Sequence, residues 1–134
     1  MIPVNNQSIR YYLLTSTALG FLAVAIGAFG AHGLKEIIGP ERMPVFETGN
    51  KYHFYHTIVS LIVLLLAKQY GFNLYLKLSY FSFLLGIFLF SVSLYALAIT
   101  GIRLLGVITP FGGVSFLCGW IMLGMAIVQS REVP

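Results

Sequence analysis

Few side chains here are able to do chemistry, and their spacing limits what that chemistry could be. His53 and His56 stand three residues apart in HFYH, and His32 follows a glycine-rich run. Imidazole titrates near neutral pH and is the commonest metal ligand. Two histidines and a carboxylate such as Glu47 match the donor types of a zinc site. HFYH fixes no third ligand at a defined offset, so His32, His53 and His56 raise the metal reading without specifying it. A wider polar set gathers His32, Glu47, Tyr52, His56, Tyr95 and Thr109. Thr48, Tyr52, His56 and Ser60 recur every four residues, which on a helix makes a polar stripe. Hydrogen bonds between such groups in a membrane average about 0.6 kcal/mol and reach about 1–2 kcal/mol. That is enough to hold helix register without any ligand, and this structural role is favoured over metal or proton chemistry.

Catalysis finds less support. The chain has no aspartate, and its one cysteine, Cys118, lies in an apolar run far from any histidine in sequence. Neither paired-carboxylate nor Cys–His catalysis has an obvious constellation in that inventory. A lone cysteine also excludes an internal disulfide, leaving helix packing as its expected role. GAFGAHG at Gly27–Gly33 looks like a phosphate loop, but it neither follows a strand nor opens a helix. No cofactor is expected.

Four apolar stretches must position these groups: Tyr12–Ala31, Phe54–Ala67 with a polar lead-in, Tyr80–Ile99 and Pro110–Val128. A helix needs about 20 apolar residues to cross a bilayer. Of 134 residues, 58% are hydrophobic and 9% charged, against about 25% charged in a soluble domain. The expected fold is all-α: an integral membrane four-helix bundle, up-down-up-down. It forms one domain with spans at roughly 12–31, 48–67, 79–99 and 108–128. Membrane lipid is the expected surrounding. The net charge of +4 comes from eight scattered Lys and Arg. A nucleic-acid site needs them clustered on one face, so nucleic acid is excluded as a partner. A cleaved signal peptide competes for the first stretch, with Arg10 as its basic region. The apolar run exceeds the usual core of about 7–15 residues, so a retained span is preferred.

Small residues recur along the spans. Ser16, Gly20, Ala23, Gly27 and Gly30 alternate steps of four and three, the seam of a left-handed helix pair. Ser79, Ser82, Gly86, Leu89, Ser93, Ala96 and Thr100 repeat the pattern, and Gly112, Ser115, Gly119 and Ala126 follow it loosely. Small side chains let backbones approach where lipid removes the usual hydrophobic drive. Gly20, Gly27, Gly30, Gly86, Gly112 and Gly119 are therefore the expected packing glycines. The same seams could join copies into a homo-oligomer. Phe81, Phe88 and Phe90 should then face lipid or a neighbouring subunit, while Trp120 packs mid-span. Pro44 suits the first turn of the second helix, with Glu47 and Lys51 as an i,i+4 pair. Thr109–Pro110 reads as a cap and first-turn pair for the fourth.

The spans assign Met1–Arg10, a polar lead-in, to one side together with the second loop and the C-terminus. That side holds Arg10, Lys68, Lys77 and Arg131; the other holds Lys35, Arg42, Lys51 and Arg103. Counting basic residues gives a tie. Glu36, Glu41 and Glu47 against Glu132 tip the balance towards cytoplasmic termini. The polar candidates then gather at one membrane face.

The chain also resembles a widespread family of small four-span membrane proteins of unknown function, found in bacterial inner membranes and, as a related family, in animals. The matching pieces are GAFGAHGLK at Gly27–Lys35, TGNKYHFYHTI at Thr48–Ile58, SLYALAITG at Ser93–Gly101, LGVITPFGG at Leu105–Gly113, and Gly119–Trp120. They touch all four helices. Val92 and Phe111 depart from the pattern, where glycine and isoleucine are usual; both are packing changes. The resemblance implies a multi-pass protein of the bacterial cytoplasmic (inner) membrane and supplies no activity. The expected function is a non-enzymatic, self-associating bundle with a structural, assembly or regulatory role. The alternative is a transporter or channel for protons, divalent metal ions or a small solute along the His/Tyr face. A lipid- or quinone-directed enzyme lacks a nucleophile.

Overall fold

The structure, a computed structural model, describes residues 6–130. Met1–Asn5, Arg131 and Glu132, which enter the lead-in and the charge count, lie outside the described residues. Regular structure among the described residues is all helical. The first rod is α1 (Asn6–Phe29), a π-helical turn (Gly30–Leu34) and α2 (Lys35–Ile38). The second is α3 (Met43–Tyr70). The third runs from α4 (Leu74–Gly86) through a π-helical turn (Ile87–Val92) into α5 (Ser93–Thr100). A 3-10 turn (Arg103–Val107) then leads into α6 (Thr109–Gln129). Three stretches are long and apolar enough to cross a membrane: Ser8–Ile38, Leu74–Thr100 and Arg103–Gln129. α3 is not among them, since Lys51, His53, His56 and Lys68 dilute its apolar run.

Local chemistry explains where the rods end. Gly71 and Gly101 hold φ at +86° and +71°, a region glycine enters without a Cβ penalty. The Gly101 N–H returns to the Leu97 carbonyl at 2.8 Å, closing α5. Asn73 caps α4 by accepting the Leu76 N–H at 2.9 Å, and Pro44 lies in the first turn of α3. Thr109 does not cap α6. Ile108 holds that place, and the 3-10 turn already serves the free N–H groups: Ile108 donates to Leu105 and Phe111 to Ile108. The Thr109 hydroxyl meets Ser93 Oγ at 2.9 Å.

α3 runs through the centre. Its buried positions include Phe46, Gly49, His53, His56, Thr57, Ser60, Val63, Leu64 and Ala67, a three-and-four rhythm that keeps one stripe inward. α1 lies antiparallel to it, with Gly20 at Thr57, Gly27 at Asn50 and Gly30 at Phe46. α4 lies antiparallel to α6: the Ser79 hydroxyl donates to the Gly119 carbonyl at 2.9 Å and Ser115 to that of Ser82 at 2.8 Å. Gly86 meets Phe116, Gly112 meets the backbone of Leu89 and Phe90, and Gly119 meets Phe83. All these partners are in the same chain. One apolar cluster (Val63, Leu64, Tyr80, Phe83, Phe116) fills the end near the α3–α4 turn. Another (Leu34, Ile38, Phe46, Tyr95, Ala98) fills the opposite end. The polar residues of α3 lie between them.

Three further expectations change. Phe81 and Phe88 are exposed, but Phe90 turns inward against Tyr52 and Phe116, at centroid distances of 4.7 and 5.5 Å. The missing side chains of Gly112 and Gly113 leave the recess it enters. Cys118 is exposed and not a packing residue, because Ser115, Phe116 and Gly119 take the inner face of α6. Glu47 and Lys51 make no ion pair; among the described residues the one pair is Glu41–Arg42, at 3.8 Å.

Candidate functional site

α3 turns Asn50, His53, Thr57 and Ser60 inward, in steps of three, four and three. The four-step stripe does not form. At 3.6 residues per turn, steps of four drift off a face, whereas alternating threes and fours stay on it. Thr48 is exposed and bonds back to the Pro44 carbonyl at 2.8 Å.

The first polar group joins three helices. Asn50 Nδ2 donates to the Ala23 carbonyl of α1 at 2.8 Å and to the Tyr95 hydroxyl of α5 at 3.2 Å. The same hydroxyl lies 3.1 Å from His53 Nδ1. The proton arrangement that uses every group has Asn50 donating to Tyr95 and Tyr95 donating to His53, which leaves the His53 proton on Nε2. That nitrogen makes no hydrogen bond of ordinary geometry, although His53 is only 3% exposed and the Leu19 backbone of α1 lies close to the ring. Thr57 Oγ1, one turn further on, is equally buried and unpartnered.

His56 belongs to a second group. Its Nδ1 lies 2.8 Å from the Tyr52 carbonyl, which can only accept, so Nδ1 carries the proton. Nε2 then accepts the Trp120 indole N–H at 3.3 Å. The ring stacks on Phe116 at 3.6 Å and 10°. Both nitrogens are engaged, so His56 has no lone pair free for a metal. A third group runs from the Ser60 hydroxyl to Ser16 at 2.9 Å and from the Tyr80 hydroxyl to the Tyr12 carbonyl at 3.0 Å.

The expected six-residue site is therefore divided. His32 is exposed on the first π-helical turn, and Glu47 is exposed on α3. Tyr52 and His56 sit with α6, Tyr95 sits with His53, and Thr109 pairs with Ser93. Among the described residues no three His, Cys, Asp or Glu side chains come together to hold an ion. His32 leaves the first π-helical turn, and His53 and His56 leave α3 on different faces, which is why they do not converge.

Asn50, Trp120 and Arg42 carry contacts that sequence reasoning passed over. Asn50 was legible as the residue three before His53 in TGNKYHFYHTI. Arg42 donates to the carbonyls of Ile38 at 3.1 Å and Ala98 at 3.2 Å, closing the ends of α2 and α5. Beside Asn50 a cleft of about 130 Å³ opens between α1 and α3, lined by Gly27, Ala31, Phe46, Glu47, Asn50 and Lys51. An apolar crevice of about 220 Å³ lies at the opposite end, among Leu66, Tyr70, Leu76 and Ile127.

Comparison with known proteins adds family but no chemistry. Residues 26–113 match the family described as a protein of unknown function (DUF423). A UPF0382 membrane protein of Haemophilus influenzae is 43% identical over 122 residues, covering 91% of this chain and 97% of that protein. The UPF0382 membrane protein YwdK of Bacillus subtilis is 41% identical over 121 residues, covering 90% and 98%. The UPF0382 inner membrane protein YgdD of Escherichia coli is 40% identical over 123 residues, covering 92% and 93%. No solved structure matches the chain. With its apolar helices, its matched core segment and relatives of nearly equal extent, the chain belongs to the DUF423 family of membrane proteins of unknown function.

Proposed function

We propose that the chain crosses the bacterial inner membrane four times, up-down-up-down, with both termini cytoplasmic, and acts as a structural, assembly or regulatory component without catalysis. One observation carries this. The inward polar groups bond to the chain's own helices, while Phe21, Leu65, Phe88 and Leu117 face outward. Lipid favours that arrangement, because costly polar groups then point into the bundle. α3 fits as a fourth span: its mid-helix polar side chains His53, His56, Thr57 and Ser60 are buried, and its outer face there holds Ile58, Ile62 and Leu65. Self-association is part of the proposal. Its contacts would fall on the outer Phe and Leu rows, since the seam glycines already face their own chain. The test is single-cysteine labelling in a Cys118→Ser background with an impermeant maleimide. Glu36→Cys and Arg103→Cys should react on intact cells, and Gln69→Cys only after permeabilisation. Reaction of Glu36→Cys and Gln69→Cys from the same side would remove the crossing by α3.

A second reading, a conduit for protons or a small solute, is favoured by the two unpartnered buried atoms, His53 Nε2 and Thr57 Oγ1. They lie in a polar file from Asn50 to Ser60 that Val63 and Leu64 close. A divalent ion has no donor set there among the described residues. Proteoliposomes holding a pH gradient test it: His53→Leu should slow proton flux at least about tenfold, the scale of removing one proton-transferring group. Wild-type flux equal to that of empty liposomes would end this reading.

A further inference from the structure

We propose that the cleft between α1 and α3 binds a primary ammonium joined through two carbons to a phosphate. That is the head of an ethanolamine phospholipid, or free phosphoethanolamine. Three features converge on the cleft. The first is a pair of available opposite charges. Glu47 and Lys51 line the cleft one turn apart on α3, exposed, and neither is in an ion pair. Four residues of helix rise about 6 Å, so the two charges address the two ends of a short zwitterion.

The second feature is Asn50. Both of its amide donors are committed to this chain, one to Ala23 and one to Tyr95. Its Oδ1 is left as an acceptor at the side of the cleft formed by Gly27, where a Cβ would come within 2.6 Å of it. The side chain cannot turn over without breaking two bonds to other helices, so the acceptor is held in place. The third is the wall opposite. Gly27 and Ala31 present little bulk, and Ala31 belongs to the π-helical turn Gly30–Leu34. Such turns recur at functional sites.

The chemistry follows from these groups. An ammonium donates N–H bonds to the Glu47 carboxylate and to Asn50 Oδ1, while the phosphate accepts from Lys51. A quaternary choline has no N–H to donate, so the cleft discriminates between the two heads. At about 130 Å³ it admits a head group and leaves acyl chains outside, along exposed residues of the same helix face such as Val24. The lipid form rests on the four-span proposal, which puts this end of α3 at a membrane face; the soluble form does not.

The test uses the full purified chain. Native mass spectrometry compares retention of ethanolamine and choline phospholipids from nanodiscs, and calorimetry compares phosphoethanolamine with phosphocholine in detergent. Ethanolamine should win about tenfold, the size of one charge-assisted hydrogen bond. Glu47→Gln should erase the preference, and Lys51→Met should weaken both heads alike. Ala31→Leu should block both. These are exposed positions, and circular dichroism verifies that each variant is folded. Selectivity seen only with lipids assigns the site to a membrane head group, whereas selectivity for the free compound assigns it to a soluble ligand. Equal affinity for the two heads, no binding of either, or unchanged preference in Glu47→Gln would overturn the proposal. Phosphoethanolamine selectivity with contrary cysteine labelling would sink the four-span reading and leave this one standing.

Discussion

Gly112→Ala should destabilise the folded protein by about 3 kcal/mol or more, the upper range of overpacking. A Cβ at Gly112 would meet the Phe90 backbone nitrogen and lie 2.7 Å from the Leu89 carbonyl carbon. Backbone atoms cannot rotate away, so α6 and the third rod would have to separate. Ser79–Gly119 and Ser115–Ser82 join the same two rods and would be strained with them. Gly124→Ala is the control, because nothing lies within 4 Å of its added methyl. Gly27→Leu belongs with the damaging class, since it drives into Asn50 Oδ1, whereas Phe88 is 66% exposed and Phe88→Leu should change little. Detergent-denaturant titration followed by circular dichroism ranks all four. Coincident midpoints for Gly112→Ala and Gly124→Ala would show that α6 does not approach the third rod this closely.

Tyr95→Phe comes next, at about 1–2 kcal/mol, the upper range for interhelical hydrogen bonds in membranes. The substitution keeps the ring, and with it the contact to Phe46 at a centroid distance of 5.2 Å. It removes one oxygen that serves both Asn50 and His53. A buried N–H and a buried imidazole nitrogen would then lose their partner, which costs more than replacing a whole pair by apolar groups. A double-mutant cycle separates this from packing. His53→Phe should cost less in the Tyr95→Phe background than in the native chain. Additivity within about 0.5 kcal/mol, the behaviour of independent sites, would mean that the two side chains do not interact.

Helix existence and class were local properties and could be seen in the residues alone. Apolar runs separated by Gly39–Pro40, Gly71–Asn73 and Gly101 mark where the chain must turn. The small-residue rhythm of the first rod also survives, since Ser16, Ala23 and Gly30 are buried at seven-residue intervals. Membership of an uncharacterised family was legible from motif pieces on all four rods. Turn residues and periodicity act over a few neighbours, so one sequence suffices to see them.

Which polar groups meet was not legible. His53 and His56 lie about 60° apart around the helix axis, at 3.6 residues per turn. Two helical stripes could be drawn through α3, Thr48–Tyr52–His56–Ser60 and Asn50–His53–Thr57–Ser60; the helix period favours the second but does not say which helices it faces. The choice came from partners more than 40 positions away: Tyr95 for His53, and Trp120 and Phe116 for His56. Phe90 likewise turned inward only because two glycines on α6 left room. A helix declares its period in its own residues, but its neighbours set its rotation, and the grouping of side chains into sites depends on rotation.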